Sequence, residues 1–382
     1  MKIAILHCGQ AKTGTSSLQR FLAENAPVLA QHGILDPTLT MRKGAAPPLP
    51  WVGFQHSPGL MQLEAQGQKV APNSDLGQIT RQIDTVPHDV LILSAEYLFF
   101  NLFYAGANHP VTFLKDRGYR LESISYLRDQ PDRLNSLYAQ KCKTGQWQGG
   151  FDAFCAHRLR NSRHIPGEVL PIVARGLHND RLAFPDLNPW GRHTFRPFSA
   201  EVKAPGIEAD FLETLREILS RNAVAPGLTK AVCDTFHPTA RSNDRDGTIL
   251  VALCRQIGKM VVRRTASQDR QSRQRQRGER AVYPAAVAAL EALGIADPKF
   301  NGLTVARETS LRQVFANTNE IFARKVWGCS WAELFPPIPS DRLISNDLDE
   351  SSDLLLAESY KEALPVARKE LRKALDAIAE TS

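Results

Sequence analysis

The sequence predicts an α/β fold: three layers, with a central, mainly parallel sheet flanked by helices, and helical additions in the C-terminal half. Three observations carry that prediction. Ile3-Ala4-Ile5-Leu6 and Val90-Leu91-Ile92-Leu93 are unbroken apolar runs, as expected of parallel strands covered on both faces. The first run leads through a glycine-bounded loop into Leu18, Phe21 and Leu22, which stand at helical spacing. Past residue 200 the periodic stretches are helical, from Phe211, Leu212, Leu215, Ile218 and Leu219 to the last leucines of the chain.

Composition bounds the rest. The 382 residues are 43% hydrophobic and 23% charged, ordinary for a globular protein and long enough for one elaborated domain or two. The formal charge of +7 is compatible with an anionic ligand or polymer. Six cysteines (8, 142, 155, 233, 254 and 329) form no Cys-x-x-Cys pair and no metal-type cluster, which reads as reduced thiols in a cytoplasmic protein. The first apolar run is too short for a signal peptide, and no stretch is long enough to span a bilayer.

The first element, Lys2 to Cys8, reads as a buried strand, followed by Gly9-Gln10-Ala11-Lys12-Thr13-Gly14-Thr15-Ser16-Ser17. Strand, glycine-bounded loop and helix make a cradle for an anion. Loop amides and the helix N-terminus point at it, and the helix dipole favours its charge. An ordinary turn, whose glycines only make the bend, is the other reading of these residues. A Walker loop is Gly-x-x-x-x-Gly-Lys-Ser/Thr. Here Gly9 and Gly14 keep the spacing, Thr15 stands in place of the lysine, and Lys12 falls two residues before Gly14. This arrangement resembles the 5′-phosphosulfate loop of sulfotransferases, whose donor is 3′-phosphoadenosine 5′-phosphosulfate (PAPS). The resemblance implies a P-loop-like fold in which Lys12 contacts the bridging oxygen while Thr13, Gly14, Thr15, Ser16 and Ser17 hold the phosphosulfate. A sulfuryl group in transfer carries less charge than a phosphoryl group, so a lysine and backbone amides serve where kinases use magnesium.

The helix begun at Ser16 or Ser17 gives way to a short extended piece at Gly33 to Pro37, then to an irregular loop rich in Pro and Gly over 43–60. His56 lies in that loop, either exposed and inert or lining an acceptor site. Asp89 to Ser94 is the next strand, closed by Ser94-Ala95-Glu96. Ligands of open α/β sheets bind outside the carboxyl ends of strands, which places Glu96 for chemistry. Related carbohydrate sulfotransferases use a glutamate in this part of the fold as general base; the alternative is a glutamate that caps or ion-pairs with the following helix. Leu121 to Leu127 is a further strand with Arg128 at its carboxyl end. Pro131 suits the first turn of the next helix, and Ser136 follows eight positions after the arginine. A guanidinium offers a fork of donors to a phosphate. Arg128 with Ser136 resembles the 3′-phosphate motif of sulfotransferases, from which Gln130 is a departure.

Further along, Phe151 to Arg163, Ala209 to Arg221 and Thr248 to Val262 read as helices, and Ala183 to Arg192 as a loop. Thr194 to Phe198 reads as a strand, similar to the Arg-Pro-Phe strand end of some bacterial sulfotransferases. Arg263 to Arg280 holds seven arginines, a solvated helix face or loop, or a site for a sulfated or acidic polymer. It lacks aromatic residues to stack bases, so nucleic acid is not expected. Ser310 to Trp327 reads as a helix, and Asn317, Arg324 and Leu334-Phe335-Pro336 are similar to the C-terminal part of bacterial sulfotransferases. Asn346 to Asp353 reads as an acidic linker. From Leu354 a helix carries Leu364, Leu371, Leu375 and Ile378 on one side, a stripe for packing or for a homodimer. Pro365 is expected to kink that helix or start it afresh.

Two separated motifs in the right order thus resemble the bacterial, PAPS-dependent sulfotransferases. The resemblance implies transfer of a sulfuryl group from PAPS to a hydroxyl or amine of an acceptor, a carbohydrate or related small molecule, with 3′-phosphoadenosine 5′-phosphate (PAP) as product and no metal. Lys12 would stabilise the leaving bisphosphate, and Glu96, with His56 second, would take the acceptor's proton. Residues 1–145 would bind nucleotide, 146–345 would complete the core and shape the acceptor site, and 346–382 would form a helical tail. Two rivals remain: a P-loop kinase or NTPase with a divergent loop, and a non-catalytic basic protein binding anionic polymers through Arg263–Arg280.

Overall fold

A computed structural model describes residues 2–9, 12–37, 74–95, 109–161, 192–203, 206–224, 236, 247–264, 273–349 and 353–380. In chain order the elements are β1 (Lys2–His7), α1 (Thr15–Glu24), α2 (Ala26–Gln31), β2 (Ile34–Leu35), α3 (Asp75–Thr85), β3 (Val90–Ser94), α4 (His109–Lys115) and β4 (Tyr119–Leu127). They continue with α5 (Gln130–Lys143), α6 (Phe151–Asn161), β5 (Arg192–Pro197), α7 (Ala200–Lys203), α8 (Ile207–Arg221) and α9 (Thr248–Arg264). The last are α10 (Arg273–Leu293), α11 (Val305–Val326), α12 (Trp331–Leu334) and α13 (Leu354–Glu380), with a 3-10 turn at Ser340–Arg342.

The chain divides into two compact units, each gathered from three stretches. Unit 1 holds Met1–Asp129, Ile165–Ser242 and Asn317–Pro336; unit 2 holds Gln130–His164, Asn243–Ala316 and Pro337–Ser382. Helix α11 therefore gives its first half to unit 2 and its second half to unit 1.

Unit 1 is built on a five-stranded sheet in the order β2-β3-β1-β4-β5. Every pairing is parallel: Ile3 stands opposite Val90 on one side and Arg120 on the other, and β4 meets β5 from Glu122–Arg192 to Leu127–Pro197. The apolar run of β1 is explained by its central position, because successive side chains point to opposite faces and both faces are covered. Ile3 and Ile5 pack with Leu18, Phe21 and Leu22 of α1 and with Phe211 and Leu215 of α8. Ala4 and Leu6 pack on the other face with Ile79 of α3, Leu114 of α4, Phe322 of α11 and Trp331 of α12. Each large apolar side chain so buried contributes about 1.5–3 kcal/mol.

Unit 2 is helical among its described residues. Ile257 and Val261 of α9, Val282 and Ala286 of α10, and Ala367 and Leu371 of α13 form one core. A second core joins Leu134 and Tyr138 of α5, Phe151 and Phe154 of α6, and Phe300, Leu303 and Leu343. Buried Arg255 donates to Tyr138 Oη at 3.0 Å and to the carboxylates of Asp347 and Asp349, tying the segment before α13 to the helices. The Asp297 carboxylate accepts from the N–H groups of Ile249 and Leu250 at 2.8 Å, capping α9 from a distance in sequence.

One expectation changes here. Pro365 does not start a fresh helix: α13 runs unbroken through it from Leu354 to Glu380, as α10 runs through Pro284. A proline inside a helix costs about 3 kcal/mol, and the buried seam Ala363, Ala367, Leu371 and Leu375 on both sides of Pro365 outweighs it. Among the described residues, no helix is long and apolar enough to cross a membrane.

Candidate functional site at the carboxyl ends of β1 and β4

Strand β1 lies between β3 and β4, and the chain leaves β1 toward β2 on one edge of the sheet and β4 toward β5 on the other. Where connections diverge in this way, a crevice opens outside the carboxyl ends of the strands. The loop after β1 and the corner after β4 meet at that point.

The loop enters through Cys8 and Gly9, both buried. Cys8 donates its N–H to Ile124 O at 2.8 Å, and Ser125 Oγ donates to Cys8 O at 2.8 Å, so β4 holds the loop's entry. Gly9 is needed for close approach, because a methyl group there would sit 2.7 Å from Thr15 Cγ2 and closer still to its Oγ1. Lys12 adopts φ 72° and Gly14 φ 79°, the left-handed region. That conformation suits glycine, and costs a lysine about 1–2 kcal/mol. Arg128 offsets the cost: its Nη1 donates to Lys12 O at 2.7 Å. Gly14 caps α1 without a side-chain acceptor, and the first turn of α1 has no acidic residue. The positive end of the helix dipole at this terminus favours an anion. Thr13 and Thr15 are buried, Lys12 and Ser17 are half-buried, and Ser16 is exposed.

A buried polar cluster anchors the adjoining end of β3. His7 Nδ1 and Ser94 Oγ lie 2.8 Å apart, Gln19 Nε2 of α1 donates to Ser94 O at 3.3 Å, and Ala95 N donates to His7 O at 3.0 Å. Burial pushes His7 from its ordinary 6.5 down to about 3, so the ring is neutral at physiological pH. On the β5 side, Phe198 N donates to Leu127 O at 2.6 Å, and the Phe198 and Ile207 side chains line the loop beside Gly14. Arg196 is committed to Asp210 of α8 by a two-pronged ion pair, which raises its pKa, and Tyr126 Oη donates to the same carboxylate at 2.8 Å.

Of the residues proposed from sequence, Lys12, Thr13, Gly14, Thr15, Ser16, Ser17 and Arg128 all belong to unit 1, and Arg128 is hydrogen-bonded to the loop. Ser136 is half-buried on α5, which belongs to unit 2. Glu96 and His56 lie outside the described residues. In the arginine run, Arg263, Arg264, Arg277 and Arg280 are exposed, and Arg264 pairs with Asp376 of α13 at 2.9 Å. Sequence reasoning missed Ser125, His7, Gln19, Asp129 and Trp331, whose hydrogen bonds support the loop and the corner. Nothing local to these residues signals such pairing, because each partner is distant in sequence.

Compared with protein-family models, with characterised proteins and with solved structures, the chain matches none.

The Gly9 geometry yields a direct test. Gly9→Ala is expected to destabilise the protein by about 1–3 kcal/mol through overpacking, and a second change, Thr15→Ala, to restore most of that loss. Thermal unfolding of the three variants measures both, and an unaltered midpoint for Gly9→Ala would contradict the close approach.

Proposed function

We propose that the chain is a PAPS-dependent sulfotransferase, an enzyme built on a P-loop-like three-layer core. It moves a sulfuryl group from PAPS to a hydroxyl or amine of an acceptor, a carbohydrate or related small molecule. One observation supports this reading above the others: the Arg128 guanidinium binds the carbonyl of Lys12, 116 residues away, so two motifs separated in sequence make one structure. A loop with helix amides and an adjacent arginine form a donor set suited to a nucleotide carrying phosphate at both the 5′ and 3′ positions.

In the proposed reaction the acceptor atom bonds to sulfur as the bond from sulfur to the bridging oxygen breaks in line. Lys12 and the loop amides stabilise charge on the departing bisphosphate. The acceptor's proton passes to a base, Glu96 by preference and His56 second. Arg128 holds the 3′-phosphate and the strained loop together. A kinase reading lacks its lysine, because Thr15 opens α1 where that lysine would stand.

Arg128→Ala is therefore expected to weaken PAP binding by roughly 1.5–3 kcal/mol, the range of a charge-assisted contact. Affinity for adenosine 5′-phosphate, which lacks the 3′-phosphate, should change much less. A variant that bound both nucleotides as the parent does would remove the assignment.

A further inference from the structure

The corner that presents Arg128 is two residues long: β4 ends at Leu127 and α5 begins at Gln130. Its second residue, Asp129, is 6% exposed, and its carboxylate accepts a hydrogen bond at 3.0 Å from Nε1 of Trp331, 202 residues later in the chain. Trp331 is itself 5% exposed and firmly held. It opens α12, which Ser330 and Glu333 close with a reciprocal capping box. Its N–H donates to Glu320 Oε2 at 3.1 Å, and its ring lies 4.6 Å from Phe335 and 5.7 Å from Trp327. The Trp327 indole in turn donates to Phe195 O on β5 at 2.8 Å. Two indole N–H groups from one C-terminal stretch therefore grip β5 and the corner after β4, all within unit 1.

We propose that Trp331, acting through Asp129, is a positioning residue that sets the direction of the Arg128 guanidinium toward an anionic ligand. The inference rests on the reading that Arg128 holds the 3′-phosphate of a nucleotide. A hydrogen bond to a buried carboxylate is stronger and more directional than a neutral one. In a two-residue corner a backbone displacement at Asp129 is passed on to the adjoining Arg128, whose guanidinium donates to Lys12 O at 2.7 Å. Binding groups must be held to within about 0.5 Å by such supporting contacts. The C-terminal aromatic stretch thereby takes part in the nucleotide site without touching the nucleotide.

The test compares Trp331→Phe, Asp129→Ala and Asp129→Asn with the parent, titrating PAP and adenosine 5′-phosphate and recording thermal unfolding. Trp331→Phe keeps an aromatic ring but loses the donor, and Asp129→Asn keeps an acceptor for the indole. Trp331→Phe and Asp129→Ala should bind PAP about 10-fold more weakly while adenosine 5′-phosphate binding stays within about 2-fold. Asp129→Asn should recover most of the PAP affinity. If Trp331→Phe or Asp129→Ala lowers both affinities alike, or leaves the PAP preference intact, the two residues are structural only and the proposal is overturned. If Trp331→Phe does not fold, the Asp129 pair decides alone. A parent that shows no preference for PAP overturns the Arg128 assignment, and this inference with it.

Discussion

Glu96→Gln is expected to leave donor affinity intact and to lower turnover by about 100- to 10,000-fold, the scale of a lost general base. The residue follows directly on Ala95, at the carboxyl end of β3, and β3 lies beside β1 in the sheet. His7, Ser94 and Gln19 fasten that end of β3 to β1 and α1 through buried hydrogen bonds, so the backbone leading to Glu96 starts from a fixed point. In the proposed reaction its carboxylate meets the acceptor, not the nucleotide. Donor titration and single-turnover rates separate the two effects once an acceptor is in hand. Full activity in Glu96→Gln would pass the role of base to His56 or to the acceptor itself.

In the proposed reaction Lys12 has a different task. Lys12→Ala is expected to slow the transfer step by ~100-fold or more, as loss of an oxyanion-type contact does. The structure adds a control, because Lys12 holds φ 72°. Lys12→Gly should lose activity equally yet gain about 1–2 kcal/mol of stability, since glycine adopts the left-handed region without strain. Rapid-quench rates and thermal unfolding of the two variants check the pair of outcomes. A transfer rate within a few-fold of the parent in both would contradict the role given to Lys12.

Much of the α/β core is legible from sequence because its signals are local. The runs at Ile3–Leu6 and Val90–Leu93 are continuous since both faces of a parallel sheet are covered, and these became β1 and β3. Helix α3 carries a local signal as well: Ser74 caps it, and Leu76, Ile79 and Ile83 stand at helical spacing. The fresh start expected at Pro365 did not occur, because α13 continues through it, as α10 does through Pro284, and packing overrides a lost backbone bond. The cut between the units falls between Asp129 and Gln130, and the chain returns to unit 1 at Asn317, which no composition shift announces. For the candidate site, the loop and Arg128 stand out because glycines and a basic residue follow apolar runs. The bond from Trp331 to Asp129 is silent in sequence, since nothing local to either residue requires the other.

In the proposed function the loop after β1 and Arg128 after β4 bind a 3′,5′-bisphosphate nucleotide without a metal. Calorimetric titration of the full chain with PAP and with ATP, each with and without magnesium, tests it most directly. PAP is expected to bind at least about 10-fold more tightly than ATP, with no change on adding magnesium. Equal affinity for ATP, or a strict magnesium requirement, would contradict it.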